Sequence, residues 1–420
     1  MNKLDRHIMV IDLKSFFASV ECVDRGLDPF TTPLVVADKR SGNGAITLAV
    51  TPYLKAQGVP SRGRLFEIPK NIKYMIVPPR MTKYIEASRN VVKIFLDYVA
   101  EEDLHVYSID ESFLDVTEYL NYYKMSDYEL AKVILADIEK RTGLTATCGI
   151  GPNMFLAKVA MDTEAKKMKN GIAKWSYDDV ETKLWSITPL SKCWGIGPRM
   201  EAKLNALGCN TIGDVAKLNK NFLKHRYGIL GEELWYRVNG IDNSIIKDFK
   251  HESKEKSFSQ SQVLFRDYYN DEVLLIVREM VDNLARRLRI ENQNTYVVGF
   301  GLTYSKTTGG GFYHSSKLVS STDNKDTIYK VCEGIYDSYY IRNMPIRVIS
   351  ISLGKLVKNE GLQLDIFSEP ERQIKDENLE RAIDDIKDKF GKNSLLKASS
   401  LLPNSTIRER NKKIGGHNAG

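Results

Sequence analysis

The apolar runs of the first 175 residues follow an order that few sheets can satisfy: strand, helix, strand, strand, helix, strand. His7-Ile8-Met9-Val10-Ile11 is a short run of strand type, broken by Asp12. Helical spacing follows over 15–23, with Phe16, Ser19, Val20 and Val23 on one face. Two strand-like runs, 106–109 and 113–116, flank Asp110, Glu111 and Ser112; a helix around Leu130, Val133, Ile134 and Ile138 then stops at Gly143, and a strand over 145–150 closes the series. This β-α-β-β-α-β order predicts a ferredoxin-like antiparallel sheet with helices on one face. The segment 31–79 interrupts it, with a strand over 34–37, a turn over 41–44 and several Pro and Gly, and reads as a small inserted subdomain. An amphipathic helix over 84–98 follows. Residues 176–245 read as helical, punctuated by Gly195, Gly197, Gly208 and Gly213, and 253–357 return to strands around a helix over 273–288. Beyond Lys358 the chain turns polar, with a helix expected over 379–390 and a disordered end at Gly415-Gly416-His417-Asn418.

Composition narrows the class. A chain of 420 residues suggests roughly three domains at about 150 residues each. No stretch approaches the roughly 18 apolar residues of a membrane span, and the start lacks a signal-peptide pattern, so a cytoplasmic protein is expected. Five scattered cysteines without a CxxC pair exclude a zinc finger by spacing and point to reduced thiols. The net charge of +7 is weak evidence for a polyanionic partner, but its distribution is not even. Residues 101–150 carry eleven acidic against four basic side chains, and residues 151–220 carry seven against eleven. A metal site serving an anionic substrate requires such a pairing, and chance can also produce it.

Asp12 ends the first strand, and Asp110 and Glu111 stand at the turn between the next two, so the sheet order brings all three carboxylates to one edge. Neighbours on an extended strand point to opposite faces, so Asp110 and Glu111 act together only if the turn bends the backbone. Clustered carboxylates without His or Cys suit a hard cation, Mg²⁺ or Mn²⁺. Mg²⁺ held by few carboxylates completes its shell with substrate phosphates, which points to phosphoryl chemistry.

The stretch Asp12-Leu13-Lys14-Ser15-Phe16-Phe17-Ala18-Ser19-Val20-Glu21, followed about a hundred residues later by Tyr107-Ser108-Ile109-Asp110-Glu111-Ser112-Phe113, resembles the two catalytic motifs of the Y-family translesion DNA polymerases. The similarity is closest to the UmuC-like branch of Gram-positive bacteria. The resemblance implies an α+β multidomain chain: a ferredoxin-like palm (1–30 and 80–175), a small fingers insertion (31–79) and a helical thumb with a helix-hairpin-helix (176–245). A linker (246–252), an α/β little finger (253–357) and a polar tail (358–420) complete it. It implies an error-prone polymerase that adds dNTPs to a primer opposite damaged template. Two Mg²⁺ ions, or Mn²⁺, about 3.5–4 Å apart would be bridged by Asp12 and Asp110, with Glu111 and the Leu13 carbonyl as further ligands.

The same resemblance assigns other residues. Phe17, five after Asp12, stands where the family has its steric gate, with Phe16 beside it. Tyr53 and Lys55 resemble the residues that grip the triphosphate, although the family usually spaces them by three. Phe155-Leu156-Ala157-Lys158-Val159-Ala160-Met161-Asp162 resembles a palm-helix signature, and of the lysines after it Lys166, with Lys169 as rival, would reach the phosphates. Trp194-Gly195-Ile196-Gly197-Pro198-Arg199 looks like a helix-hairpin-helix, whose backbone N–H groups at Gly195 and Gly197, with Arg199, would hold a DNA phosphate. Lys254, Lys256, Arg286, Arg287 and Arg289 are candidate phosphate contacts of the little finger. In the tail, Gln363, Leu364, Ile366 and Phe367 look like a peptide for the replicative sliding clamp. The implied partners are primer-template DNA, dNTPs, the clamp and accessory subunits of an SOS response, with no membrane. Another two-metal palm enzyme, such as a nucleotide cyclase, or an idle DNA-binding regulator are the rival readings.

Overall fold

A computed structural model describes residues 4–250, 256–360 and 370–420. Two units result, Met1–His251 with His417–Gly420, and Glu252–Gly416. The first is built on β1 (Ile8–Leu13), in which every residue but Asp12 is buried. Such unbroken burial means that both faces of the sheet are covered. Met9, Ile11 and Leu13 enter one core cluster and Ile8 and Val10 another.

After α1 (Phe16–Asp24), the insertion supplies β2 (Leu34–Ala37), β3 (Ile46–Val50), the short α2 (Pro52–Ala56), β4 (Gly63–Arg64) and β5 (Met75–Val77). These strands form their own sheet, β4-β3-β2-β5, over a small core that includes Val35, Val50, Leu54 and Leu65. The main sheet resumes after α3 (Met81–Phe95) with β6 (Leu104–Val106), β7 (Glu111–Asp115), the turn-like α4 (Leu120–Tyr123) and α5 (Asp127–Thr142). It ends with β8 (Ala146–Gly151), α6 (Met154–Thr163) and β9 (Ile172–Lys174). The strand order is β6-β7-β1-β8-β9, antiparallel except for the last pair. α5 opens on a capping box: Ser126 Oγ accepts from the Glu129 N–H at 3.2 Å, and Glu129 Oε2 accepts from the Ser126 N–H at 2.9 Å.

The pattern placed helices on one face only, but the structure covers the other with α6. That helix lies so close to β8 that glycine is required beneath it. A Cβ on Gly149 would stand 2.1 Å from the Ala157 carbonyl oxygen, and one on Gly151 would stand 2.6 Å from the Ala157 nitrogen. Beyond β9, α7 (Pro198–Asn205), α8 (Ile212–Ala216), α9 (Lys220–Tyr227) and α10 (Ile229–Val238) share a core with α6 through Leu156, Leu204, Ile212, Leu223 and Val238.

The second unit repeats the element order with a different strand order. β10 (Phe258–Tyr268), α11 (Glu272–Ile290), β11 (Gln293–Tyr304), β12 (Gly311–Thr322), α12 (Lys325–Tyr339) and β13 (Ile346–Lys358) make an antiparallel sheet ordered β10-β13-β11-β12. Its apolar face packs on α11 and α12 through Val298, Phe300, Ile349 and Ile351. The tail adds α13 (Pro370–Phe390), α14 (Ile407–Arg410) and the short strand β14 (Lys413–Ile414) to this unit, while the following short strand β15 (His417–Asn418) belongs to the first.

The tail corrects two expectations. Residues 415–418 are not a disordered end: Gly415 and Gly416, both at positive φ, make a two-residue turn, and His417 and Asn418 form the short strand β15. Arg286 and Arg289 are not directed to an external phosphate either. Arg289 pairs with Asp384 at 2.7 Å and Glu380 at 3.3 Å, and Arg286 with Asp384 and Asp388, all on α13. Arg287 lies over the Phe258 ring at 4.0 Å. Lys254 and the peptide Gln363, Leu364, Ile366 and Phe367 fall outside the described residues. Because Asp384 is only 8 % exposed, Asp384→Ala leaves two largely buried guanidinium groups short of a partner. A loss of about 2 kcal/mol in the unfolding free energy is expected from denaturant titration. Among the described residues no helix is long and apolar enough to cross a membrane. The five cysteines are free and buried, and burial pushes the Cys193 thiol up to about 12, so none is a ready thiolate at neutral pH.

Candidate active site

The site forms where β1 and β7 end side by side. Asp12 and Glu111 are direct cross-strand partners, which puts both side chains on the α6 face of the sheet. Asp110 precedes β7 in a bend. Ser108 Oγ donates to Asp110 Oδ1 at 2.7 Å, and the Asp110 carbonyl accepts from the Leu13 N–H at 2.9 Å. The bend releases Asp110 from strand alternation, so Asp110 and Glu111 stand at the same edge as Asp12 and Leu13. Burial raises the Asp12 carboxyl above its ordinary value, and Asp110 adds to the rise while Lys166 opposes it. Burial raises Glu111 as well, against the pull of Lys158.

Two lysines answer this charge. Lys158, in the middle of α6, pairs with Glu111 at 2.7 Å and with Asp162 at 3.0 Å. Lys166, eight residues on, pairs with Asp12 at 3.3 Å and Asp162 at 2.8 Å. Asp162 thus joins both cations, and the run 158, 162, 166 lines one side of α6 and its extension. Lys158 is 6 % exposed, so it is a buried counter-ion rather than a surface charge. Lys166 still reaches solvent; burial works against its charge, but Asp12 and Asp162 outweigh it and raise its pKa.

Sequence reasoning took Lys166, with Lys169 as rival, and named Lys158 and Asp162 only as part of the palm-helix signature, without a role. The Lys-Asp-Lys repeat every four residues was the available signal. Lys169 is exposed. Lys55, on α2, also reaches solvent; its pKa is lowered chiefly by partial enclosure, against the opposing attraction of Asp12 and Asp110. Tyr53 on the same short helix is 36 % exposed. The two phenylalanines part company: the Phe16 ring is buried in the helix-side core, while Phe17 is half-buried and stacks on Tyr84 with centroids 4.4 Å apart.

Further along the same unit, Gly197 caps the start of α7 and Pro198 is its first residue, where a missing N–H costs nothing. Gly195 has φ +91°, and a Cβ on Gly197 would meet nothing within 4 Å, so the hairpin backbone is open to close approach. Gly195, Gly197 and Arg199 are all exposed. The neighbouring Trp194 donates its indole N–H to the Tyr107 hydroxyl at 3.3 Å, which ties this hairpin to the one carrying Asp110.

Among the described residues no three His, Cys, Asp or Glu close a metal shell by themselves. The donor set nevertheless fits a hard divalent cation that takes one or two carboxylates and completes its shell from a phosphate. Asp12 and Glu111 are raised chiefly by burial, and neighbouring carboxylates, Asp110 beside Asp12 and Asp12 beside Glu111, add to the rise.

The model of the impB/mucB/samB family matches residues 11–162, its C-terminal domain 255–366, and the helix-hairpin-helix motif of the same family 177–208. The chain is 38 % identical to UvrX of Bacillus subtilis (strain 168), named for UV-damage repair, over 98 % of this chain and 97 % of that one. It is 31 % identical to DNA polymerase IV 2 of the same organism over 98 % and 99 %. A Y-family DNA polymerase chimera of known structure, 20 % identical, superposes with a TM-score of 0.67 over 84 % of this chain and all of that one.

Proposed function

The chain belongs to the impB/mucB/samB family and is a DNA-directed DNA polymerase of the Y family, and from that premise we propose that it performs error-prone translesion synthesis, extending a primer opposite damaged template. The observation that carries the site is the convergence of Asp12, Asp110 and Glu111 at one sheet edge beside the lysines of α6. Residues 31–79 act as fingers, 80–175 with 1–30 as palm, 176–245 as thumb and 253–357 as little finger, on primer-template DNA.

Asp12 and Asp110 would hold the two divalent cations, Mg²⁺ or Mn²⁺, with Glu111 and the Leu13 carbonyl as further oxygen donors. When bound, such ions supply charge stabilisation to the attacking and leaving oxygens. The chain's own groups orient the nucleotide. Lys166 is a mobile cation that can exchange Asp12 for the triphosphate, and Tyr53 and Lys55 approach the same phosphates from α2. Gly195, Gly197 and Arg199 bind a DNA phosphate without reading sequence. Gln363, Leu364, Ile366 and Phe367 form the sliding-clamp peptide, and accessory subunits of a damage response assist in the cytoplasm.

Phe17 offers a flat ring where a 2′-hydroxyl would have to fit. Phe17→Ala is expected to raise rNTP incorporation relative to dNTP on the order of 10²-fold in the ratio of kcat/KM values, read by single-nucleotide insertion. The function itself is tested by primer extension with the purified chain, a divalent cation and dNTPs, on an undamaged template and on one with an abasic site. Extension past the abasic site supports the proposal. Extension only on the undamaged template, with clamp and accessory proteins supplied, would sink the translesion part of it.

A further inference from the structure

Phe17 is held from behind. One face of its ring lies on Tyr84, a member of the core, with an interplanar angle of 16°. Tyr84 is completely buried, and its hydroxyl donates to Glu21 Oε1 at 2.7 Å. Glu21 stands four residues after Phe17 on α1, so one helical face carries both ends of the arrangement. Its carboxylate is also completely buried. It accepts from Arg80 Nε at 3.0 Å and Arg80 Nη2 at 2.6 Å, and it pairs with Arg25. Arg80 is the N-cap residue of α3 and reaches Asp24 at 2.6 Å as well.

Apart from a half-exposed Lys83–Asp24 ion pair, the rest of the α1–α3 contact is apolar, through residues such as Val20, Val91 and Ile94. A buried carboxylate is a costly way to join two helices that apolar packing would join unaided. What a fully partnered polar network adds is one defined geometry where apolar contact permits several. Here the geometry it defines is that of the Tyr84 ring, pinned at its hydroxyl and flat against Phe17.

We propose that Tyr84 and Glu21 are positioning residues for sugar discrimination: they hold the Phe17 ring at the tilt that excludes ribose. This rests on the reading of Phe17 as the sugar gate. A ring that can tilt by one rotamer well leaves room for one oxygen, so the effect falls on the rNTP and not on the chemistry at the carboxylates.

The test is single-nucleotide insertion by the full chain, with dNTP and rNTP, for wild type, Tyr84→Phe, Glu21→Gln, Phe17→Ala and the Phe17→Ala/Tyr84→Phe double variant. Tyr84→Phe keeps the ring and removes only its anchor, so it remains informative if Glu21→Gln fails to fold. The expected result is a loss of discrimination of roughly 10-fold for Tyr84→Phe, carried by a lower KM for rNTP. No further loss is expected when Tyr84→Phe is added to Phe17→Ala, because the two act through one ring. A Tyr84→Phe variant with lowered melting temperature and unchanged discrimination would overturn the inference and leave the pair a structural tie. If Phe17→Ala itself left discrimination unchanged, the gate reading would fail, and this inference with it.

Discussion

Asp110→Ala removes primer extension by at least about 10³-fold in kcat/KM, the several kcal/mol that charge stabilisation at a phosphoryl centre supplies. The loss is not one of folding. Asp110 raises the Asp12 pKa, so its removal relieves like-charge repulsion at the sheet edge. The melting temperature without divalent cation should therefore stay level or rise. In wild type, Mg²⁺ or Mn²⁺ binding to the folded state alone should raise the melting temperature with cation concentration. In Asp110→Ala that rise should vanish along with extension. A variant that retained both would place the cation elsewhere.

Lys158→Met carries the largest expected cost to stability. It keeps the aliphatic stem inside α6 but leaves Glu111, 8 % exposed, without its cation. Breaking a buried pair on one side costs about 3–5 kcal/mol, whereas replacing both members is often near neutral. Denaturant titration should therefore show a large deficit for Lys158→Met and substantial recovery for Lys158→Met/Glu111→Gln. The deficit should also depend on pH with a definite sign. The Glu111 carboxyl is already raised above its ordinary 4.5, and without Lys158 it rises further. A raised carboxyl binds its proton more tightly folded than unfolded, so stability falls as pH increases from 4.5 through the folded value and is level above it. The deficit should shrink on acidification toward that lower limit. A pH-independent deficit would mean that lost packing, not the unpaired charge, is responsible.

The meeting of the carboxylates at one sheet edge was legible because strand order alone brings Asp12 next to Glu111, and the Ser108-Ile109-Asp110 stretch allows the bend. Lys166 was legible by resemblance. Lys158 and Asp162 were quoted within the palm-helix signature but given no role, because in the mostly apolar run 154–161 and its continuation the pairing with Glu111 shows only in the folded chain. The tail misled for a related reason. Periodicity looks for an apolar face, whereas α13 docks through Glu380 and Asp384 and leaves Leu379, Ile386 and Phe390 exposed. Its start was accordingly placed nine residues too late. Gly415-Gly416 was read as part of a disordered end, yet the same pair is a turn once short strands flank it. In the second unit α12 went unread, although Ile328, Cys332 and Ile335 carry its buried stripe.

The glycines beneath α6 have a bearing on how inactivating changes in this chain are to be interpreted. Gly149 and Gly151 carry no functional group, yet they set the altitude at which Lys158, Asp162 and Lys166 ride over the sheet. Any side chain there would lift that helix bodily and separate both cations from Asp12 and Glu111 at once. In a saturation survey of the gene, those two positions would score with the carboxylates themselves, and a ranking by lost activity would mistake a spacer for a reagent.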